Sequence, residues 1–262
     1  MKVTNLSSGS KGNCTFVAAK NTKLLVDVGI GIKLLQSSLN QLGENLETIS
    51  AVLISHEHSD HVCGLESVVK KYPDLHIYVL EPVWKAMVKK CSSLANCQNV
   101  HLIVFETGFS VGDLTVVAIE NYHDSEACAS FILSDGGGKL GICTDLGIIT
   151  EHQVDMFSTC KVVFLECNHD KKMLSQCEYP KILKQRISGT FGHLSNEQCA
   201  SAALKMVQNQ TKVIVLSHIS ENSNLPEVAY SCVANLFEQN NIKNVHLLLS
   251  YPKKVGKTIT IN

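Results

Sequence analysis

The segment Ile54-Ser55-His56-Glu57-His58-Ser59-Asp60-His61 sets three imidazoles and the Asp60 carboxylate within six residues, after an apolar strand-like run and before a helical pattern. In an extended stretch residues two apart point the same way, so His56 and His58 can converge on one ion. Asp60 and His61 are adjacent and point apart, which lets them face a second ion. Neutral imidazole with carboxylate oxygen suits Zn²⁺, and also Mn²⁺ or Fe²⁺, better than Ca²⁺ or Mg²⁺. Two such cations about 3.5 to 4 Å apart can share a hydroxide, lower its pKa and aim it at an electrophile. The chemistry expected of this loop is hydrolysis, with Asp60 serving both as ligand and in catalysis.

The elements that must carry the loop alternate between strand and helix. β-rich runs at 14–18, 23–28 and 51–54 come first, with an amphipathic helix near 33–42 before the last of them. Helical patterns at 62–71 and 82–91 alternate with apolar runs at 76–80 and 101–105. Runs 114–120, 128–134 and 139–143 form a meander, and Asp135-Gly136-Gly137-Gly138 supplies its last tight turn. A helix near 150–157, a strand at 162–166, helices near 180–187 and 195–208, a strand at 212–217, a helix at 226–239 and a strand at 245–249 follow. This order predicts an α/β fold in which two sheets are covered by helices on both outer faces, an αββα four-layer sandwich. No repeat, low-complexity tract or Pro/Ser-rich linker divides the chain, so one domain over residues 1–262 is expected.

The phrase ISHEHSDHVCGL resembles the signature loop of the metallo-β-lactamase superfamily, whose members carry further ligands at the ends of later strands. His123 follows the run LTVVAIENY, Asp145 ends KLGICT, and His218 ends KVIVLS. The resemblance implies that His56, His58 and His123 hold one metal, that Asp60, His61 and His218 hold the other, and that Asp145 bridges them. It also implies that Asp27 braces the metal loop by hydrogen bonding, the alternative being an exposed carboxylate. Di-iron oxidoreductases of the superfamily tend to carry glutamate where this chain has His58, which disfavours redox chemistry.

More specific phrases are Ser8-Gly9-Ser10-Lys11-Gly12-Asn13, Glu166-Cys167-Asn168-His169-Asp170, Tyr179-Pro180 with Leu183-Lys184-Gln185-Arg186-Ile187, Gly192-His193-Leu194-Ser195-Asn196, and Leu216-Ser217-His218-Ile219-Ser220-Glu221-Asn222. Together they resemble the WalJ (also called YycJ) family of single-domain bacterial metallo-hydrolases, which are implicated as 5'-to-3' DNA exonucleases. In phosphodiesterase branches of the superfamily a histidine placed like His193, often partnered by an acid such as Glu166, contacts the scissile phosphate or protonates the leaving oxygen. The competing reading of His193 is loop packing. The Gly-rich segment with Ser10 and Asn13 either cradles a phosphate through backbone N–H groups or turns a hairpin between the first two strands. Ser195 or Asn196 can cap the following helix, and both are candidate substrate contacts. His169 is left open between a supporting place behind the ligands and no role in the site, whereas His76, His101, His152 and His246 stand in no ligand-like phrase.

The segment 171–186 sets Lys171, Lys172, Lys181, Lys184 and Arg186, the only arginine, against a single acid, Glu178. Next to an active site this is either a basic rim for a phosphate backbone, with Lys184 and Arg186 foremost, or a solvated helix face. The whole chain, with net charge -1, has no bulk attraction for nucleic acid, so any polyanion site must be local. Only 21 residues separate His123 from Asp145, which leaves no room for the clamp domain of RNase J-like enzymes or the arm of tRNA-maturing RNase Z.

With 262 residues, 45% of them hydrophobic, the chain can bury a sizeable core. Its 11 cysteines are odd in number and never spaced as C-x-x-C, and read as reduced thiols. No apolar run reaches the roughly 20 residues of a membrane span, and the polar start lacks a signal-peptide core. A cytoplasmic, metal-dependent phosphodiesterase acting on nucleic acid, DNA before RNA, is the expected function. The rivals are a small-molecule hydrolase of the same fold, acting on a cyclic phosphodiester, thioester or lactam, and a non-catalytic metal-binding protein.

Overall fold

The computed structural model describes residues 1–262. The first half runs β1 (Lys2–Ser7), β2 (Cys14–Ala19), β3 (Thr22–Val26), α1 (Ile32–Gln41), β4 (Ala51–Leu53), α2 (Ser59–Val62), α3 (Leu65–Lys71), β5 (His76–Leu80), α4 (Glu81–Lys90) and β6 (Val100–Ile103). A meander follows, β7 (Phe109–Val111), β8 (Leu114–Glu120), β9 (Ala129–Ser134) and β10 (Lys139–Cys143). The rest is α5 (Glu151–Ser158), β11 (Val162–Glu166), α6 (Lys171–Gln176), α7 (Lys181–Ile187), α8 (Asn196–Val207), β12 (Val213–Ser217), α9 (Pro226–Gln239), β13 (His246–Leu249) and β14 (Ile259–Thr260).

The strands form two seven-stranded sheets, ordered β14-β1-β2-β3-β4-β5-β6 and β13-β12-β11-β10-β9-β8-β7. Each is antiparallel at one end and parallel at the other; β3 to β6 and β10 to β13 are the parallel halves. Parallel strands buried on both faces need apolar residues at successive positions, as in Val162-Val163-Phe164-Leu165. Side chains alternate across such a strand. Val162 and Phe164 accordingly enter the core between the sheets, and Val163 and Leu165 enter the core under α5, α8 and α9. Helices α1, α3 and α4 cover the other sheet through Leu35, Leu39, Val68, Val83 and Met87. The expected four-layer αββα sandwich is the observed fold.

Four features depart from the sequence reading. A first strand, β1, precedes the run at 14–18, hidden because its Thr4, Asn5 and Ser7 are polar yet buried. Thr4 and Ser7 are satisfied by Thr258 and the Gly12 carbonyl, and Asn5 Nδ2 donates to Thr15 Oγ1, while Asn5 Oδ1 has no partner. The helical pattern 62–71 is two helices, α2 and α3, joined at Cys63-Gly64. The edge strands β7 and β14, of three and two residues, are too short to show a period. The basic segment 171–186 holds α6 as well as α7, with Asp170 capping α6 by accepting from the Met173 N–H at 2.7 Å.

α5 docks through Phe157, which is fully buried over Gly141 of β10; a Cβ there would lie 2.6 Å from the ring. Phe157→Ala is expected to cost about 3–5 kcal/mol in urea denaturation and Gly141→Ala about 1–3 kcal/mol. The double variant should lose clearly less than the sum, since the new methyl occupies space vacated by the ring. Additive losses would show that the two positions do not pack against one another.

Candidate metal centre

The histidine loop lies at the C-terminal end of β4, and Asp27, at the end of β3, organises it. Asp27 accepts three hydrogen bonds: from the Ser55 N–H at 2.8 Å, from Ser55 Oγ at 2.8 Å and from His61 Nδ1 at 2.8 Å. A carboxylate can only accept, so His61 carries its proton on Nδ1 and presents Nε2. Because the Ser55 hydroxyl proton is given to Asp27, its oxygen accepts from His56 Nδ1 at 3.0 Å, and His56 too presents Nε2. One carboxylate thus sets the tautomers of two ligands. The loop is held close by the β1–β2 turn, where the Asn13 N–H donates to the Asp60 carbonyl at 2.7 Å. A Cβ on Gly29 would fall 1.7 Å from that carbonyl, so the backbone can approach only because residue 29 is glycine.

The remaining candidates arrive from the other sheet. His123 follows β8 and donates from Nδ1 to the Gly192 carbonyl at 3.1 Å, leaving Nε2 facing His58 Nδ1 at 3.3 Å. Asp145 and His218 follow β10 and β12 in left-handed backbone conformations, with φ of 64° and 53°, and Asp27 has φ of 61°. Non-glycine residues rarely adopt this region, and three of them at strand ends aim three functional side chains into one space.

Donor separations test whether this set suits a metal. Two nitrogen or oxygen ligands on a tetrahedral ion at 2.0–2.1 Å lie roughly 3.3 Å apart. His58 Nδ1 and His123 Nε2 are 3.3 Å apart, His61 Nε2 and Asp145 Oδ2 3.3 Å, His61 Nε2 and Asp60 Oδ2 3.5 Å, and His218 Nε2 and Asp60 Oδ2 3.6 Å. His56 Nε2, His218 Nε2 and Asp145 Oδ2 are buried with no hydrogen-bond partner in the protein. Unpartnered buried polar atoms are costly, and divalent cations held among these groups would satisfy them. The seven candidates fall into the groups His56–His58–His123, Asp60–His61–His218 and His56–His61–Asp145, each with ligand atoms within 4.8 Å. These residues fit divalent metal.

Electrostatics divides the cluster. Burial, reinforced by His61, His123 and His58, holds His56 well below the usual histidine range. Burial also pulls His218 down, but Asp145, Asp60 and Glu166 outweigh it and hold the imidazole up to about 10. The carboxylates that keep His218 charged are the ones that would attract a cation.

Glu166, at the end of β11, is fully buried and accepts five hydrogen bonds: from His193 Nδ1 and His218 Nδ1 at 2.9 Å each, and from the N–H groups of Leu194, Leu146 and Asp145 at 3.0, 3.2 and 3.3 Å. Burial pushes its carboxyl up, but the charges and hydrogen bonds of His193 and His218 outweigh this and hold it well below the usual carboxylate range. With both oxygens engaged, Glu166 acts as a brace. His193, its ring centroid 5.1 Å from that of His123 and 5.2 Å from that of His218, keeps Nε2 free at the partly exposed rim.

The other expected residues divide. Ser10-Gly12 forms the β1–β2 hairpin turn, with Ser10 exposed, while Asn13 Nδ2 reaches His61 Nε2 at 3.0 Å. Ser195 and Asn196, expected as helix caps or substrate contacts, lie at the start of α8. Both are buried; Ser195 caps α8 in a capping box with Gln198, and Asn196 pairs with Asn224. His169 is buried, its imidazole brought down to about 4 chiefly by burial, and its backbone is bonded to Leu194 and Asn196 beneath the His193 loop. The basic segment faces more acid than Glu178 alone: Arg186 Nε pairs with Asp124, Lys171 with Glu197 at 3.6 Å, and Lys184 donates to the Ser175 carbonyl at 2.7 Å. These acids are distant in sequence, so no local count could find them.

Sequence reasoning also missed supporting residues. Ser55 relays Asp27 to His56, Ser8 Oγ accepts from the His218 N–H at 2.8 Å, and Asn168 donates to the His218 carbonyl at 2.9 Å. The buried Glu57, between two ligand histidines, accepts from the Glu126 N–H at 3.1 Å and so ties the metal loop to the segment after His123. Only its position within the histidine loop could have flagged it.

Residues 22–219 match the family model of the β-lactamase superfamily domain. The chain is 32% identical over 236 residues to "Exodeoxyribonuclease YycJ" of Bacillus anthracis, covering 89% of this chain and 88% of the relative. It is 32% identical over 240 residues to "Exodeoxyribonuclease WalJ" of Streptococcus pneumoniae serotype 2, covering 91% and 88%. Among solved structures, the metallo-β-lactamase fold protein YhfI of Bacillus subtilis superposes with a TM-score of 0.71 at 17% identity, over 97% of this chain and 98% of that one.

Removal of the Asp27 carboxylate frees the tautomers of His56 and His61 together. Asp27→Ala is expected to weaken metal affinity about 10- to 100-fold in competition with a chromogenic chelator, whereas Asp27→Asn, which keeps the shape, should fall between. Unchanged affinity in both variants would remove Asp27 from the support of the ligands.

Proposed function

The chain belongs to the β-lactamase superfamily as a metal-dependent hydrolase, and on that premise we propose a dinuclear phosphodiesterase that degrades DNA as a 5'-to-3' exonuclease. His56, His58 and His123 would hold one divalent ion and Asp60, His61 and His218 the other, with Asp145 between them. Zn²⁺ or Mn²⁺ suits this donor set, and Fe²⁺ is compatible with it. When bound, the ions supply a water nucleophile at neutral pH and charge compensation for the attacked phosphate.

The observation that carries the reading is the brace at Glu166. It fixes Nδ1 of a ligand, His218, and Nδ1 of a non-ligand, His193, at the same 2.9 Å. Glu166 holds the His193 proton on Nδ1 while the ring is neutral, so protonation at Nε2 makes an imidazolium aimed at the mouth of the site. That group can give its proton to a leaving alkoxide, the step a phosphodiester requires and a lactam or thioester does not need in the same place. The names of the two similar relatives support nuclease action, DNA as substrate and exonucleolytic cleavage. One domain over 1–262 would carry the whole activity. No helix is long and apolar enough to cross a membrane. The 11 cysteines, all free, fit a reducing cytoplasm.

The test is cleavage of 5'- and 3'-labelled DNA and RNA by the metal-loaded protein, beside a chromogenic phosphodiester and a cephalosporin. Release of 5' nucleotides from DNA alone is expected; turnover of the cephalosporin alone would overturn the reading. His193→Ala should keep both ions by elemental analysis and lose about 10²- to 10⁴-fold in kcat, whereas His218→Ala should lose one ion along with activity. The reverse pattern would exchange the roles of the two histidines.

Arg186 keeps half of its side chain exposed while Asp124 engages Nε, which leaves the outer guanidinium face for phosphate. DNA affinity should fall with salt by a log-log slope of about -0.7 to -0.9 per phosphate neutralised, and Arg186→Ala should reduce that slope by roughly one such contact. An unchanged slope would leave Arg186 as a structural tie to Asp124.

A further inference from the structure

Two aromatic side chains stand exposed at the mouth of the metal centre with no packing task to explain them. Tyr122 is 42% exposed and Phe191 54% exposed, and their ring centroids lie 6.0 Å apart at 45°. Tyr122 immediately precedes the ligand His123, and Phe191 lies two residues before His193. The Asp124 N–H donates to the Phe191 carbonyl at 3.0 Å, and the Gly147 N–H donates to the Tyr122 carbonyl at 2.9 Å. His123 Nδ1 donates to the Gly192 carbonyl in the same zipper. The backbones bearing both rings are therefore tied to the ligands and cannot drift from them. Paired exposed rings of this kind mark a surface where a ligand makes apolar contact.

We propose that Tyr122 and Phe191 form a stacking platform for a nucleobase of the nucleotide next to the scissile phosphate. This rests on the phosphodiesterase reading and deepens it. A base offers a flat π-face of the size of these rings, and stacking is tolerant of base identity, which suits an enzyme that must advance along any sequence. The geometry divides the labour around one nucleotide. Arg186, anchored through Asp124, stands beside the backbone phosphates, His193 beside the leaving oxygen, and the two rings hold the base. Position comes from the base, which a small phosphodiester lacks, so the platform selects nucleotides over other phosphate esters.

The test uses an oligonucleotide with a 5'-terminal 2-aminopurine, whose fluorescence is quenched on stacking, and a matched strand with an abasic 5' end. Binding is measured with the metal-loaded His193→Ala protein to prevent turnover, and cleavage with the parent protein. Quenching on binding is expected, with the abasic strand bound about tenfold more weakly or worse. Tyr122→Leu with Phe191→Leu should abolish both the quenching and the preference while keeping metal content and circular dichroism. Tyr122→Phe with Phe191→Tyr, which keeps both rings, should retain them. Equal binding of the two strands by the protein with both rings present would overturn the platform, as would a base-independent change of oligomeric state in the leucine variant, which would mean that a second copy covers the rings. Cleavage without base dependence sinks the platform and leaves the nuclease reading standing; quenched, base-dependent binding without cleavage under any metal does the opposite.

Discussion

The arrangement depends on one buried carboxylate. Glu166 has no solvent to stabilise it, so its charge survives only because three backbone N–H groups and two imidazoles point at it. Those donors come from the end of β10, from the loop before α8 and from the end of β12. Satisfying one ion therefore fixes the relative positions of three segments that the sheet alone would leave free at their tips. The same requirement orients His193 and His218, so a single group braces both imidazoles.

Asp27 plays the matching part in the other sheet. It ends β3 as Glu166 ends β11, is buried, and sets two imidazole tautomers through Ser55 and His61. Both halves of the molecule are parallel where the chemistry is, and in parallel sheets the strand ends open into the crevice where ligands bind. The left-handed backbone at Asp27, Asp145 and His218 is the local cost, of order 1–3 kcal/mol each, of turning a strand end into a ligand. The 43-residue core between the sheets and beneath α1, α3 and α4 supplies the stability that offsets it.

Charge around the mouth follows from folding more than from composition. Asp124 and Glu197 are brought to the basic segment from elsewhere, so two of its five cations, Arg186 and Lys171, are paired with acids. Pairing with Asp124 restricts the Arg186 side chain while half of it stays exposed.

The amino-acid sequence by itself determined the four-layer sandwich and the histidine loop. The apolar runs of β8 to β12 are strong, and the spacing of His56, His58, Asp60 and His61 is local, so both are written in neighbouring residues. Strand β1 escaped because buried Thr4, Asn5 and Ser7 look like surface until their partners are known. The burial of Ser195 and Asn196 escaped too, because a loop phrase does not record it. Only the tertiary structure decided that Glu166 holds His218 as well as His193, that Arg186 belongs to Asp124, and that Tyr122 stands beside Phe191. Each of these is a contact between residues tens of positions apart. Such contacts depend on which strand ends meet, and that is settled by sheet order and packing, which no run of neighbouring residues encodes.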